Sequence, residues 1–473
     1  MTKITHTAQR WLIGETPGAS SAIVPLLIVL GVSVLLRVVV AVVMGNQVTA
    51  LPGIADQVSY NTLALRVLDG HGFSFGQPWW PATAANQPTA HWSFLYTSYL
   101  VLVYGLIGRI PLAARLIQAI VVGILLPLLI YRLARSQFGS PIGVVASALV
   151  AVYAYLVYYS AAIMTESFFT VCLVLMVLIA NRLGGGSTEG SSREKVGAVR
   201  LGLYLGLSAG GMVLLRQAAL VLLPVIWLWI VVVGRQRGVG RQAVYGIAVS
   251  ALVTVAMILP WTIYNFQRFH EFVLLNTNAG FAFYLSNHPI YGTVFQPILS
   301  EQVATYRSLI PTSLSHLNEA QLDHALLLRG IGFVVADPIR YILLSLSRIP
   351  VFFMFWPSGD SSTVSNLARV LSFGAMWPFM LAGIIVVVRR QGIRKFLSGS
   401  AGLIFLIVVV YTGLHLLSWS LVRYRIPLDA LLLPFAAVCL HEIWKWLQRN
   451  WGWPRVGQEY GRPSEATAHK RGG

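Results

Sequence analysis

Apolar positions along the chain gather into long blocks, and the polar positions fall between them. Runs of about 17–25 residues, the length that crosses a bilayer as a helix, occur at 21–44, 112–131, 141–160, 163–181, 198–215, 217–233, 242–260, 370–388, 400–418 and 426–444. This pattern predicts an all-α polytopic membrane protein with about ten transmembrane helices.

Composition agrees. Hydrophobic residues are 56% of the chain and charged residues 11%, with a mean hydropathy of +0.70. A soluble domain carries roughly 25% charge. The net charge of +18 in a soluble protein would suggest a nucleic-acid partner. Here the basic residues cluster at the ends of apolar runs, where they read as orientation signals against anionic lipid, and no nucleic-acid partner is expected. Cys172 and Cys439 lie inside apolar runs and build neither a disulfide framework nor a metal site.

Charge also sets the expected topology. Lys3 and Arg10 place the N-terminal segment 1–20 in the cytoplasm. Short loops with Arg132/Arg135, Arg182/Arg193/Lys195, Arg235/Arg237/Arg241 and Arg389/Arg390/Arg394/Lys395 belong on the same side, as does the basic tail 447–473. Ten spans within 21–446 satisfy these constraints with both termini inside. Two further apolar stretches, His91–Gly108 and Pro338–Pro357, would invert the pattern if they crossed. They are expected as juxtamembrane or re-entrant segments on the outer side. The outer face then carries two large loops, 45–110 and 262–368, too long to be mere connectors. Gly184–Ser192 reads as a Gly/Ser-rich cytoplasmic linker, and about 455–473 as disordered.

Only 16 residues are acidic, and two of them, Asp56 and Glu166, fall at the outer membrane face. A carboxylate beside hydrocarbon is costly and marks a functional candidate. Leu63, Ala64, Val67 and Leu68 predict a short amphipathic helix closed by Gly70 and Gly72, with Asp56 at its start. Asp56 therefore reads either as an N-cap or as a general base facing the membrane surface. Glu166 reads either as an acid complementing a helix dipole or as a second functional carboxylate. Arg216, in another short outer turn, either snorkels to lipid phosphate or binds a phosphate ligand. Arg423 and Arg425, before the last span, repeat the theme and hint at an anionic headgroup.

Five segments together resemble the polytopic GT-C glycosyltransferases, and within them glycosyltransferase family 39, the protein-mannosyltransferase-like and aminoarabinose-transferase-like enzymes. They are Asp56-x3-Tyr60-x3-Ala64-x3-Leu68-x-Gly70-x-Gly72-Phe73; Pro88 through His91 to Tyr96; the turn ending at Glu166; Pro260-Trp261-x3-Asn265 with Asn278-Ala-Gly280 and Asn287-His-Pro289-x2-Gly292; and Arg423-Tyr-Arg425-Ile-Pro427.

The resemblance implies a GT-C fold and an inverting transfer of a sugar from a polyprenyl-phosphate donor. Asp56 would be the catalytic base or organise the acceptor, and Glu166 would support it. Arg216, Arg423, Arg425 and His91 would hold the donor phosphate, and Tyr60, Tyr96, Asn265 and Asn287 would be substrate-binding positions. The acceptor would be a lipid, a glycan or a protein, at the outer face of the plasma (inner) membrane. No cofactor is implied; a divalent metal is compatible with these residues without being indicated by them. The chain departs from the pattern at Gln57, where many relatives have a second acid, and at His91, where a Lys or Arg is commoner.

The competing reading is a lipid or glycolipid transporter or flippase, which would use midplane charges and Gly/Pro-broken helices. The spans are nearly free of charge except at Arg37, and the polar detail sits in the loops. A non-catalytic homologue is the third reading, for which Gln57 is the only sequence argument.

Overall fold

The computed structural model describes residues 22–50, 55–186, 194–299, 305–359 and 361–451. The expected N-terminal segment 1–20, residues 187–192 of the linker and 452–473 of the tail lie outside these residues. The helices in chain order are α1 (Ile23–Met44), α2 (Asp56–Leu68), α3 (Phe94–Ile107), α4 (Pro111–Phe138), α5 (Ser140–Val152), α6 (Ala154–Ala161), α7 (Glu166–Asn181), α8 (Glu194–Leu215) and α9 (Leu222–Gln236). They continue with α10 (Gly240–Phe269), α11 (Ala279–Ser286), α12 (Glu319–Ala336), α13 (Pro338–Phe352), α14 (Thr363–Arg369), α15 (Ala375–Gln391), α16 (Ile393–Ser398), α17 (Ser400–Leu417) and α18 (Ile426–Trp451).

Among the described residues, nine helices are long and apolar enough to cross a membrane, and the bent pair α5–α6 makes a tenth. Each coincides with one of the ten apolar runs. The two segments expected not to cross form α3 and α13, of 14 and 15 residues. At 1.5 Å per residue these reach only about 21–23 Å, short of a core of about 30 Å. Helix α13 buries one stripe, Leu344, Ser345, Arg348 and Phe352, and exposes Ile342 and Leu346.

The tenth span bends by 55° between α5 and α6, where Tyr153 takes an extended conformation. A break inside a membrane frees carbonyls that lipid cannot satisfy. Arg37, fully buried in the middle of α1, meets that need: Nη1 donates to Ala151 O at 3.0 Å and Nη2 to Val150 O at 3.1 Å. The one charge in the first span is thus a cap for a broken neighbour. Elsewhere small residues bring helices close. Gly202 and Gly206 of α8 face α10 so tightly that a Cβ on either would fall 2.5 Å from Gly246 O or 2.8 Å from Ser250 O.

At one end of the bundle, parts of the segments 45–110 and 262–368 pack on each other. Glu319, at the start of α12, is buried and draws both together. Its Oε1 accepts from Ala90 N at 2.9 Å and Thr89 Oγ1 at 3.0 Å, and also from the Thr277 hydroxyl; its Oε2 accepts from Thr83 Oγ1 at 2.6 Å. A buried carboxylate is tolerated when its lone pairs are filled in this way. The opposite end carries the basic loops: Arg237 donates to Gly184 O and Ser398 O, and Arg390 pairs with Glu442.

Candidate active site

Four charged residues meet at the end of the bundle that carries Glu319. Asp56 is the first residue of α2 and Glu166 the first of α7. Arg216 follows the last turn of α8, and Arg423 lies on the short 3-10 turn Val422–Arg425 that leads into α18. Arg216 Nη2 lies 2.6 Å from Glu166 Oε1, and its Nε donates to Thr165 Oγ1 at 3.2 Å. Arg423 Nη1 lies 3.0 Å from Asp56 Oδ2 and 3.6 Å from Glu166 Oε1, so one guanidinium faces both carboxylates. Tyr424 packs between the two cations, its ring 4.9 Å from the Arg216 guanidinium and 5.4 Å from that of Arg423.

The two acids differ in access. The Glu166 side chain is 1% exposed and that of Asp56 is 21% exposed. Asp56 does not cap α2: Ala55 occupies the N-cap position without a side-chain cap, and the Asp56 carboxylate turns to Arg423. Its charge still suits the first turn of a helix. Several buried polar atoms around the cluster have no protein partner, among them Glu166 Oε2, Arg423 Nε and Trp92 Nε1. Unfilled polar atoms in a buried site are what a polar ligand would satisfy.

Tyr60 lies one turn beyond Asp56 on α2, edge-on to Trp92 at 5.5 Å and to Tyr96 at 4.9 Å. Burial, followed by the nearby Asp56 carboxylate, pushes its hydroxyl pKa up, so it stays a protonated donor. Tyr96 itself donates to Gln118 Oε1 at 2.8 Å and belongs to the wall behind the cluster.

Other residues singled out in the sequence are held elsewhere. Arg425, expected on the donor phosphate, stands apart from the cluster. Its neighbour Arg423 joins the acidic pair, but Arg425 points to the other side of the same turn. There Nε meets Asp429 Oδ1 at 3.0 Å, Nη1 donates to Phe352 O at 2.6 Å, and the guanidinium lies 3.4 Å from the Phe373 ring centre. Arg425 therefore lies outside the cluster, paired with Asp429, and its Nη2 is buried without a protein partner.

His91, the other residue expected on the donor phosphate, also lies outside the cluster. It packs against Trp80, Trp92 and Phe281, and its Nδ1 lies 3.1 Å from Thr277 O. A carbonyl only accepts, so Nδ1 carries the proton. Burial lowers the pKa of the ring against the opposing pull of Glu319, leaving a neutral imidazole whose N–H is already used. It offers a phosphate no free donor.

Asn265 donates to Val273 O and Leu275 O, and so ties the end of α10 to the following loop. Asn287 accepts from Arg348 Nη2 at 2.7 Å and donates to Phe283 O at 2.9 Å. Both Asn287 groups are thus filled, whereas Asn265 commits its nitrogen and leaves Oδ1 buried without a protein partner. Gln57 turns inward from α2, away from Asp56. Glu319 and Arg348, both buried, went unnoticed in the sequence because neither stands in a motif. No three His, Cys, Asp or Glu side chains among the described residues form a group that could hold a metal.

Residues 94–261 match the family model described as dolichyl-phosphate-mannose-protein mannosyltransferase. The chain has no match among curated protein sequences. Among solved structures it is similar to the oligosaccharyltransferase AglB of Archaeoglobus fulgidus in complex with an inhibitory peptide and a dolichol-phosphate, at TM-score 0.54 and 16% identity over 90% of this chain and 51% of that one. The same archaeal enzyme tethered to an acceptor peptide aligns at TM-score 0.55 and 17% identity, over 90% of this chain and 50% of that one. A third structure, ArnT of Cupriavidus metallidurans bound to undecaprenyl phosphate, aligns at TM-score 0.40 and 14% identity, over 89% of this chain and 79% of that one. The chain thus spans about half the length of the archaeal oligosaccharyltransferase it matches. The likeness is one of fold, an all-α polytopic bundle shared with that enzyme.

Proposed function

We propose that this protein is an inverting membrane glycosyltransferase that moves a sugar from a polyprenyl-phosphate donor to a hydroxyl-bearing or similar nucleophilic acceptor. The observation that carries the proposal is the cluster of Asp56, Glu166, Arg216 and Arg423 at one end of a GT-C bundle. Asp56, the more accessible acid, would take the proton of the acceptor as its oxygen attacks the anomeric carbon. The bond from that carbon to the phosphate oxygen breaks, and polyprenyl phosphate leaves from the opposite face. Arg216 and Arg423 would supply the positive charge for the phosphate, and Glu166 would hold both guanidinium groups in place. A similarity to dolichyl-phosphate-mannose-protein mannosyltransferases over 94–261 supports the same reading.

A lipid donor also needs apolar room. A cavity of about 410 Å³ lies between α13, α15, α17 and α18, lined by Phe353, Trp356, Phe373, Trp377, Met380 and Leu428. It suits an isoprenoid chain entering from the membrane. We place the cluster on the outer face of the plasma (inner) membrane, with the basic loops and both termini inside, on the positive-inside bias. The midplane charge that a transporter would exploit, Arg37, is occupied with the carbonyls of α5.

The test is purified protein in detergent with a synthetic polyprenyl-phosphate sugar and a pool of lipid, glycan and peptide acceptors. Release of polyprenyl phosphate is expected. A protein that moves the intact donor between vesicle leaflets without cleaving it would be a carrier, and the proposal would fall.

A further inference from the structure

Between α6 and α7 the chain leaves helical geometry over residues 162–165, immediately before Glu166. Backbone groups of the last turn of α6, and Ala162 O and Ile163 N just after it, are taken by side chains from α4 and α2. Gln118 Nε2 donates to Ala162 O at 2.8 Å, to Ser160 O at 3.0 Å and to Tyr159 O at 3.3 Å. Arg115, one turn earlier on α4, donates from Nη1 to Ala161 O at 2.8 Å. The Ile163 N–H donates to Gln57 Oε1 at 3.0 Å.

Gln57 is the hinge of this arrangement. The same Oε1 also accepts from Arg115 Nη1 at 3.0 Å, and Arg115 Nη2 reaches back to Gln47 O at 2.9 Å, between α1 and α2. Gln57 follows Asp56 directly, and Ile163 precedes Glu166 by three residues. One amide oxygen therefore joins the segment carrying one acid to the segment carrying the other. All three side chains, Gln57, Arg115 and Gln118, are at most 3% exposed. Buried polar networks fix a geometry, because a shift leaves further donors or acceptors unsatisfied; of the polar atoms of these three side chains, Arg115 Nε alone is buried without a partner.

We propose that Gln57, Arg115 and Gln118 form a clamp that sets the spacing of Asp56 and Glu166, with Gln57 as a positioning residue and not a catalytic one. A carboxylate at this position would accept the same two N–H groups and would pair with Arg115, which has no acidic partner among the described residues. The clamp rests on the glycosyltransferase reading for its catalytic consequence, and its physical existence is measurable without activity.

The experiment compares wild type with Gln57→Ala, Gln57→Glu and Gln118→Ala. Hydrogen exchange is followed over residues 159–165, and steady-state kinetics with a polyprenyl-phosphate sugar. Gln57→Ala and Gln118→Ala are expected to speed exchange in that segment. They should also lower kcat by about tenfold to a hundredfold with donor and acceptor KM within about twofold, the signature of misalignment. Gln57→Glu is expected to restore both exchange and kcat. A Gln57→Ala enzyme with wild-type kcat would overturn the proposal. So would a Gln57→Glu enzyme with restored protection but no restored kcat, or a loss of kcat that merely follows a fall in melting temperature. If wild type itself cleaves no donor, the glycosyltransferase reading fails, and unchanged exchange in Gln57→Ala would still refute the clamp.

Discussion

Arg423 places one guanidinium nitrogen 3.0 Å from the carboxylate of Asp56, and the same nitrogen reaches Glu166 at 3.6 Å. The site is therefore a compensated quartet of two acids and two cations, and its members are unequal in burial. That inequality separates the expected effects of removing each acid.

Asp56→Asn is expected to lower donor cleavage by about 10²–10⁴-fold while costing little detergent stability, since Asp56 is 21% exposed and its loss leaves Arg423 beside Glu166. Glu166→Gln is expected to lower stability as well. It removes the partner of Arg216 from a site where Glu166 is 1% exposed, and breaking a buried pair costs about 3–5 kcal/mol. Polyprenyl-phosphate release and melting curves on both variants check the contrast. Equal stability loss in the two would show that access does not distinguish them.

Arg423 lies between the two carboxylates and supplies a positive charge to both. Transfer is therefore expected to survive EDTA with a rate within about twofold of the untreated enzyme, because the positive charge is already supplied by side chains. Loss of activity on chelation, recovered by added magnesium or manganese, would assign the phosphate charge to a metal instead.

Arg425→Met should lower the melting temperature, because Asp429 would keep a buried charge without its cation, and should raise donor KM less than Arg423→Met does, because Arg425 lines the apolar cavity and lies outside the cluster. The double variant Arg425→Met, Asp429→Leu should recover much of that loss, as apolar replacement of a whole buried pair often does. A donor titration and a melting series decide the matter. A rise in donor KM equal to that of Arg423→Met would return Arg425 to the phosphate.

Asp323 gives a pH dependence. Its Oδ1 accepts the N–H of Phe281 at the start of α11, and burial pushes its carboxyl up to about 7. The folded pKa lies above the unfolded one, so this contribution is present in acid and is lost as pH rises from about 4 through 7. Wild type should accordingly lose stability between pH 5 and 8 relative to Asp323→Asn, on the order of 1–2 kcal/mol after screening. Melting at both pH values measures it, and parallel curves would refute it.

Orientation is tested with single cysteines. Gln77→Cys and Ser313→Cys, both at exposed positions near the site, are expected to label with an impermeant thiol reagent in intact cells. Arg394→Cys, exposed at the opposite end, should label only after permeabilisation. The reverse pattern would invert the topology.

The spans were legible because lipid imposes one rule throughout, long apolar runs punctuated by charge, and every run became a helix. The meeting of Asp56 with Glu166 was legible for a related reason, since few acids survive at a membrane border without a use. The side taken by Arg425 was not. Two residues apart on a 3-10 turn, Arg423 and Arg425 look alike in sequence and face different partners. The only local clue was Asp429, four residues on, at the spacing of a helical ion pair. Glu319 left no signal, because its four donors come from Thr83, Thr89, Ala90 and Thr277, residues far apart in the chain. The inward turn of Gln57 was hidden likewise, for it depends on Arg115, 58 positions away.

The capping of α5 by Arg37 bears on how the chain is made. The carbonyl that receives Arg37 lies 114 residues downstream, so α1 leaves the ribosome long before its partner exists. An unpaired arginine at the centre of a span costs about 2.5–3.5 kcal/mol on insertion, whereas each Leu, Ile or Val returns about 0.3–0.6 kcal/mol. With Leu, Ile and Val filling most of its other positions, α1 can enter the bilayer unaided. It then waits there as a template, and the broken span is the element that must find it. The order of synthesis and the order of assembly are linked through a single side chain.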